Sequence, residues 1–355
     1  MVFQKKNADN FHVHCYFNWI SYLILKKKIM SAIGIFCGGF SSEFEISLKS
    51  AKTILENFPD GHTVFLVKIE KKNDSEEKWT AIYQDEEFNF DPWNLNFSMN
   101  ETTINLDTAL IYIHGNPGEN GKLQAYFEMK NIPFINSGAL ASELSFDKWY
   151  CNQFLSGFDI PVAKSILLKN GFLNSEKSII EELGLPCFVK PADSGSSYGI
   201  SKVKSEAELK PALDKAFAEG QTVVIESFLK GTEVTCGVYR STNGIYALPL
   251  TEIATENDFF DYEAKYLGKS QEITPARVSD DVKNQVQDIA KKIYDLLNLR
   301  SIARIDFMVV ENKAFVIEVN TTPGFSPASI VPQMIKCDGK TIKGFWEEIL
   351  AVEMK

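Results

Sequence analysis

Two apolar stretches near the carboxyl end of the chain, residues 302–310 and 314–320, are separated by a short polar segment centred on Asn312. Apolar and polar residues alternate in both, which predicts two antiparallel strands joined by a tight three-residue loop. Side chains alternate between the faces of a strand, so pairing that is symmetric about Asn312 gives the hairpin one entirely apolar face. That face is expected to contain Ile305, Phe307, Val309, Phe315, Ile317 and Val319.

The other face of this hairpin carries the polar residues. In the same register Asp306 lies opposite Glu318, and Arg304 lies opposite Asn320. Two directly opposed carboxylates destabilise a sheet unless positive charge lies between them, and Arg304 alone could supply that charge. Asn320 adds a neutral oxygen ligand, however, and oxygen ligands suit a magnesium ion that bridges substrate phosphates. We therefore favour a metal–phosphate site over a purely structural ion pair, on condition that no bulge breaks the register.

A second candidate for phosphate binding surrounds Lys190. This lysine ends the apolar segment 187–189 and precedes a glycine- and serine-rich loop at residues 195–199. A lysine at the end of a buried strand beside such a loop can place an ammonium and backbone amides around a phosphate. The loop is not a Walker loop, because it lacks Gly-Lys-Ser/Thr and a strand follows it. A flexible turn with a solvated lysine is the alternative, but the acidic hairpin favours phosphate.

A third segment, residues 38–45, follows the first predicted strand as a strand-to-helix turn. Backbone N–H groups at such a turn can bind an anion. Glu43 and Glu45 could simply complement the dipole of the helix that follows. Alternatively, one of them could bind the ammonium group of a substrate, and the composition of the segment leaves both explanations open.

The overall composition limits the classes of function. The chain has 355 residues, 45% of them hydrophobic, and a net charge of −10. These values suit a globular protein of two or three domains and argue against a nucleic-acid-binding protein, which needs a basic surface. The six cysteines are scattered and, with the four histidines, show no zinc-ligand spacing. We therefore expect a reducing cytoplasmic location and no membrane partner.

Strand and helix patterns alternate along the chain after its first thirty residues, as in an α/β protein. Strands are predicted at residues 32–36, 64–69 and 109–114, and a helix at residues 45–57. Residues 71–106 are charged and aromatic with weak periodicity. Irregular or partly exposed structure is therefore expected there.

Changes in residue composition and pattern along the sequence divide the chain into parts. We expect an N-terminal α/β domain at residues 31–146, a central domain at 147–229 and a C-terminal domain at 230–355. The apolar stretch within residues 1–30 is too short to span a bilayer, and its lysines follow it, whereas a signal peptide carries them first. We expect Met30 to be the natural start and residues 1–30 to be a non-native or disordered extension, with a membrane anchor as the alternative.

Six ordered segments together resemble the D-alanine:D-alanine ligase family of the ATP-grasp superfamily, over residues 31–340. The segments are Gly38–Leu48, His114–Gly121, Asp147–Lys148, Val189–Pro191 with Gly195–Ser197, Phe260–Tyr266, and Glu318–Gly324 continued by Ser329–Pro332. The resemblance implies a three-domain ATP-grasp ligase of α/β (α+β) class, with an N-terminal parallel sheet and ATP bound between the central and C-terminal domains. It also implies two magnesium ions per site, for which manganese could substitute, and a homodimer.

The same resemblance implies roles for individual residues of this chain. Those that would bind ATP are Lys148, Lys190, Glu226, Ser227, Leu229, Glu233 and Lys265. Those that would hold the metal ions are Asp306, Glu318 and Asn320. Those that would bind the two D-alanine molecules are Glu43, His114, Ser329 and Ile330. Those that would take part in catalysis are Glu43, Ser196 and Tyr266 in a hydrogen-bonded network, with Arg304 and the Gly324 N–H at the oxyanion.

The implied reaction joins two D-alanine molecules for peptidoglycan synthesis. The γ-phosphoryl group of ATP would first be transferred to one carboxylate, and the second amine would then displace phosphate. Residues 261–269, which are polar with aromatic anchors, are the predicted lid that excludes water. Two alternatives remain: a relative that takes D-lactate as second substrate, against which Tyr266 argues, and a nucleotide-binding protein without catalysis.

Three residues depart from the family pattern. Asn120 stands where the family usually has aspartate, Asn136 where it usually has glycine, and Ile330 where it usually has leucine. None of these changes removes an expected ligand or reacting group. An active enzyme is therefore expected.

A chain that starts at Met30 is predicted to keep the turnover of the full sequence, because every motif lies downstream of that residue. Measurement of kcat and KM for the truncated and full-length proteins side by side tests this expectation. Loss of soluble, active protein on truncation would refute it.

Overall fold

The computed structural model of the chain describes residues 31–73, 76–171, 175–193, 199–255 and 270–355. The strands of its first sheet and of a small hairpin beside it are β1 (Ala32–Gly38), β2 (Thr63–Asn73), β3 (Glu76–Tyr83), β4 (Glu86–Asn89), β5 (Asn96–Met99), β6 (Thr102–Asn105), β7 (Thr108–Ile111) and β8 (Phe134–Ile135). Those of the second sheet are β9 (Ser165–Lys169), β10 (Cys187–Pro191), β11 (Ser201–Val203) and β12 (Thr222–Ser227). Those of the third are β13 (Thr232–Ser241), β14 (Gly244–Ala247), β15 (Thr251–Thr255), β16 (Ser270–Ile273), β17 (Ile302–Val310) and β18 (Lys313–Asn320).

The helices lie between and around these sheets. They are α1 (Phe44–Glu56), α2 (Lys122–Lys130), α3 (Ala139–Phe146), α4 (Lys148–Ser156), α5 (Glu176–Leu183), α6 (Glu206–Glu219), α7 (Asp280–Leu296), α8 (Ile330–Cys337) and α9 (Ile342–Glu353). Among the described residues, none of these helices combines the length and hydrophobicity that a membrane span requires.

The first sheet has the strand order β4-β3-β2-β1-β7-β8. Strands β2, β1, β7 and β8 pair in parallel, whereas β3 and β4 extend the sheet in antiparallel fashion. Of the irregular or partly exposed structure expected at residues 71–106, the irregularity is therefore wrong, whereas the partial exposure is confirmed. Charged residues on these strands face solvent, while aromatic residues such as Phe90 and Phe97 are buried against the sheet. The periodicity is weak because β4, β5 and β6 have only four residues each and because burial does not alternate along β3.

The second sheet is antiparallel, with the order β11-β10-β12-β9. Helices α5 and α6 cover one face through a core that includes Ile179, Leu209 and Val223. Lys190 lies near the end of β10 and is itself buried. The apolar run before Lys190 thus anchors the lysine in a rigid strand.

The third sheet has the order β16-β15-β13-β17-β18, with β14 on β13. The amphipathic helix α7 packs on it through Val286, Ala290 and Ile293, which are fully buried. Strands β17 and β18 form the predicted hairpin, and Asp306 pairs with Glu318 and Arg304 with Asn320. The prediction of these two pairs is confirmed.

The details of the hairpin differ from the prediction. The turn has two residues, Glu311 and Asn312, both with positive φ, because Val310 pairs with Lys313. A bulge at Ile317 then inserts one extra residue in β18 and restores the predicted register at the charged end. The expected three-residue loop was therefore wrong. Between the turn and the bulge the buried face contains Ala314 and Val316, and the predicted Phe315 and Ile317 are only half-buried.

The C-terminal helices α8 and α9 return to the first sheet. Phe345 and Trp346 of α9 are fully buried in a core that also contains Ile33 and Ile54 of β1 and α1. This shared core fixes the segment after β18 against the carboxyl ends of β1 and β7, where the turn before α1 lies.

Candidate active site

A cavity of about 460 Å³ lies where the three sheets converge. All predicted site residues in the described part of the chain line it. They are Glu43, His114, Lys148, Lys190, Glu226, Ser227, Leu229, Glu233, Arg304, Asp306, Glu318, Asn320, Gly324, Ser329 and Ile330. Ser196, Lys265, Tyr266 and the predicted lid at 261–269 lie outside the described residues.

The opposed carboxylates of the hairpin are each balanced by a cation. Arg304 donates to Asp306 from both Nε and Nη2 at 2.8 Å, and the Thr235 hydroxyl donates to the same carboxylate at 2.5 Å. Lys148 Nζ lies 3.6 Å from Glu318 Oε2. Burial alone would lower the pKa of Arg304, but the carboxylate of Asp306 outweighs it and raises that pKa. The pairing keeps the guanidinium charged inside the cavity.

The donor set of this hairpin fits a divalent cation shared with phosphates. Asn320 donates through Nδ2 to Asp306 at 3.2 Å and to the Arg304 carbonyl at 3.3 Å, so its Oδ1 is the atom left to accept. The described residues contain no cluster of three His, Cys, Asp or Glu side chains with metal-binding geometry. Two carboxylates and one amide oxygen, completed by phosphate oxygens, match the partial protein coordination typical of magnesium.

Lys148 owes its position to the start of α4. Asp147 caps this helix by accepting from the N–H groups of Trp149 and Tyr150 at 3.0 and 2.9 Å. The Lys148 N–H donates to the Ala192 carbonyl just after β10, at 2.9 Å. The cap and this bond hold Lys148 between the second sheet and the acidic hairpin.

The other end of the cavity offers a buried hydrogen-bond acceptor. Lys190 Nζ lies 2.7 Å from Glu226 Oε2, and both side chains are less than a tenth exposed. Within the described part of the chain, Glu226 Oε1 is buried without a hydrogen-bond partner. A buried carboxylate oxygen in this state is costly, so it suits a ligand that brings an N–H donor.

Sequence reasoning missed the apolar walls around this acceptor. They are Ala163, Phe188, Met308, Val316 and Ile317. Strand alternation could have found two of them, because Phe188 shares a strand face with Lys190 and Met308 shares one with Asp306. Ile317 reaches the cavity only because of the bulge, which no sequence pattern indicated.

His114 follows β7 and contacts protein groups through both ring nitrogens. Nδ1 lies 2.7 Å from the Thr322 carbonyl, which can only accept, so Nδ1 carries the proton. Nε2 lies 3.3 Å from Ser50 Oγ, which can donate to it. Burial lowers the pKa of His114, although Glu43 opposes this effect. The ring is therefore neutral and fixed in one tautomer near Glu43.

Glu119 is a half-buried acid that the sequence reasoning did not single out, although it lies in the His114–Gly121 segment. Its carboxylate accepts from the Gly115 N–H at 2.7 Å and from the Thr322 N–H at 3.2 Å. Burial, followed by the charge of Glu43, raises its pKa to about 7. Glu119 thus links the two segments that bound this end of the cavity.

The segment between β18 and α8 brings Gly324 close to Ser329. A Cβ atom at position 324 would lie 3.0 Å from Ser329 Oγ, which favours glycine there. Ser329 Oγ accepts from the Ser326 N–H at 3.0 Å, and Ile330 begins α8. The N-terminus of α8 therefore faces the cavity and can attract a carboxylate.

We predict that Glu119 makes the protein less stable as the pH rises. Its pKa in the folded state, about 7, exceeds its ordinary 4.5, so folding favours the protonated form. The free energy of unfolding therefore decreases by up to about 3 kcal/mol as the pH rises from 4.5 to about 7. Denaturant unfolding from about pH 5 to about pH 8 should show this loss in the wild type and a weaker one in Glu119→Gln. The exposed Glu86→Gln variant is the control and should keep the wild-type slope. A Glu119→Gln profile parallel to the wild type would count against the prediction.

The chain is similar to known proteins over most of its length. Residues 32–137 match the family model described as D-ala D-ala ligase N-terminus, and residues 154–351 match that described as D-ala D-ala ligase C-terminus. The D-alanine–D-alanine ligase of Phocaeicola vulgatus is 41% identical over 320 residues, which cover 90% of this chain and 98% of that protein.

Solved structures show the same similarity. The VanG D-Ala:D-Ser ligase from Enterococcus faecalis superposes with a TM-score of 0.80 at 28% identity, over 91% of this chain and 99% of that one. D-alanyl-alanine synthetase A from Vibrio cholerae gives a TM-score of 0.80 at 28% identity, over 92% and 99% of the two chains.

Proposed function

The chain belongs to the D-alanine–D-alanine ligase family, and from this premise we propose that it joins two D-alanine molecules at the expense of ATP, for peptidoglycan synthesis. One observation on this chain supports the proposal directly. A single cavity contains a buried lysine–glutamate pair, an acidic hairpin and a neutral histidine near a glutamate. These features suit a nucleotide, its phosphates and an amino acid, in that order.

The nucleotide end is proposed to bind ATP. Glu226 Oε1 would accept from the adenine amino group, and the apolar walls would contact the ring. Ser227, Leu229 and Glu233, which also line the cavity, would bind the rest of the adenosine. Lys148 and Lys190 are proposed to contact phosphate oxygens, as is Lys265. What supports these roles is the charge and burial of the described lysines.

The acidic hairpin is proposed to hold two magnesium ions, or manganese in their place. Asp306, Glu318 and Asn320 would be the protein ligands. When bound, the metal neutralises the charge of the phosphates during phosphoryl transfer. The protein itself supplies the fixed register of these ligands and the cations that balance them.

The reaction is proposed to proceed in two steps. Glu43 would bind the ammonium of the first D-alanine near His114. A carboxylate oxygen of that D-alanine would then attack the γ-phosphorus of ATP. The bond to the β-phosphate breaks, and an acyl phosphate and ADP form. Ser196 and Tyr266 are proposed to complete the network around Glu43.

The second D-alanine would bind by its carboxylate at Ser329 and the N-terminus of α8, beginning at Ile330. Its neutral amine attacks the acyl carbon, and the tetrahedral oxyanion lies near Arg304 and the Gly324 N–H. The C–O bond to phosphate then breaks, which releases the dipeptide and phosphate, and the departing phosphate accepts the proton that the attacking nitrogen loses.

The larger organisation is also proposed. Domains at residues 31–146, 147–229 and 230–355 are supported by the three sheets, each of which falls within one of these ranges. A homodimer and a cytoplasmic location are proposed from the family resemblance. The free cysteines among the described residues are compatible with that location.

A coupled assay of ATP turnover tests the proposed substrates. D-alanine, L-alanine, D-serine and D-lactate are supplied singly and in pairs with D-alanine, and the products are identified by mass spectrometry. D-alanine alone should give D-alanyl-D-alanine with one phosphate per bond. Faster turnover with D-alanine plus D-serine or D-lactate would instead assign a different second substrate, and ATP binding without phosphate release would indicate a silent nucleotide-binding protein.

Asp306→Asn is predicted to damage catalysis far more than folding. The change removes a metal ligand but also relieves the repulsion between Asp306 and Glu318, so turnover should fall about 100-fold or more. The free energy of unfolding should change by about 2 kcal/mol at most. Asp288→Asn, in an exposed pair with Lys291, is the matched control and should retain both properties. Parallel losses of activity and stability in Asp306→Asn would overturn the metal-ligand role.

A further inference from the structure

The segment at residues 321–325, which follows β18, is held by atoms from the N-terminal part of the chain. Thr322 is bound at both backbone groups: its N–H donates to Glu119 at 3.2 Å, and its carbonyl accepts from His114 Nδ1 at 2.7 Å. Two further bonds to the segment join the Tyr112 hydroxyl to the Pro323 carbonyl at 2.9 Å, and the Phe325 N–H to Ser50 Oγ at 3.0 Å. The position of the whole segment is thus set by α1 and by the stretch that follows β7.

Asn136, just after β8, supplies the corresponding contact to the Thr322 side chain. Its Nδ2 donates to Thr322 Oγ1 and to the Ile111 carbonyl, both at 3.0 Å, and its Oδ1 accepts from Gln124 at 3.2 Å. Both residues of the pair are 3% exposed or less. The amide is therefore oriented by fixed groups of the first sheet, and Thr322 is its one contact with the segment among the bonds described.

We propose that Asn136 is a positioning residue for the ligation, acting on the reacting centre through Thr322; this inference rests on the proposed function. The family that this chain resembles usually has glycine at this position, and glycine has no side chain with which to make the bond. In this chain the bond holds the Thr322 side chain. Thr322 in turn orients the His114 ring through its carbonyl and precedes Gly324 by two residues.

The expected consequence is a loss of rate without a loss of nucleotide affinity. Gly324 and His114 lie at the amino-acid end of the cavity, whereas the Lys190–Glu226 pair belongs to the second sheet. Small displacements of catalytic groups cost rate steeply, because reacting atoms must be held in near-attack geometry. Loosening Thr322 should therefore lower kcat and leave the KM for ATP nearly unchanged.

Steady-state kinetics on the full chain test this inference with four variants. Asn136→Ala and Thr322→Val each remove one side of the bond, and each should lower kcat about tenfold with the KM for ATP within about twofold of wild type. Thr322→Ser keeps the hydroxyl and should restore most of the rate. The double variant should be no slower than the slower single variant, because the two changes remove the same bond.

Stability must be separated from rate in these experiments. Thr53→Val, which removes another buried hydroxyl together with its hydrogen bond to the Lys49 carbonyl at 3.0 Å in α1, is the matched control and should keep the wild-type kcat. If Asn136→Ala does not fold, the Thr322→Val and Thr322→Ser pair decides, since each change is small. An unchanged kcat in folded Asn136→Ala and Thr322→Val, or additive losses in the double variant, would overturn the positioning role. A wild type that makes no dipeptide would instead overturn the proposed function.

Discussion

The opposed carboxylates of Asp306 and Glu318 impose the main physical constraint on this molecule. Two acids can face each other in a partly buried sheet only if positive charge lies beside them. Arg304 provides it for Asp306 from the same strand, at 2.8 Å, whereas Lys148 provides it for Glu318 from a separate helix, at 3.6 Å. Charge balance at the hairpin thus depends on how α4 lies against it.

The rest of the site depends on the contacts that join the acidic hairpin to the other two sheets. The cap of α4 and its bond to Ala192 connect the acidic hairpin to the second sheet and so to the Lys190–Glu226 pair. The first sheet closes the opposite end through the bonds to the 321–325 segment. The cavity lies between three sheets that are joined by these polar contacts and by the apolar core that α8 and α9 share with β1 and α1.

Sequence reasoning predicted the two residue pairs at the charged end of the hairpin but not its turn or its bulge. Alternation and charge repulsion were enough to place Asp306 opposite Glu318, yet the result held only because the bulge at Ile317 offsets the two-residue turn. The strands within residues 71–106 escaped prediction since pairing with neighbours, and not periodicity, stabilises short half-exposed strands. The contact between Asn136 and Thr322 joins residues 186 apart in the chain, and no local pattern encodes such a pair.

The transfer of oxygen from D-alanine to phosphate tests the central claim most directly. D-alanine labelled with ¹⁸O in its carboxylate is incubated with unlabelled ATP, and the released phosphate is analysed by mass spectrometry. If the carboxylate attacks the γ-phosphorus, each phosphate released with a dipeptide carries one ¹⁸O atom from the amino acid. Phosphate free of the label, in a reaction that still forms D-alanyl-D-alanine, would contradict an acyl phosphate and the site geometry argued for it.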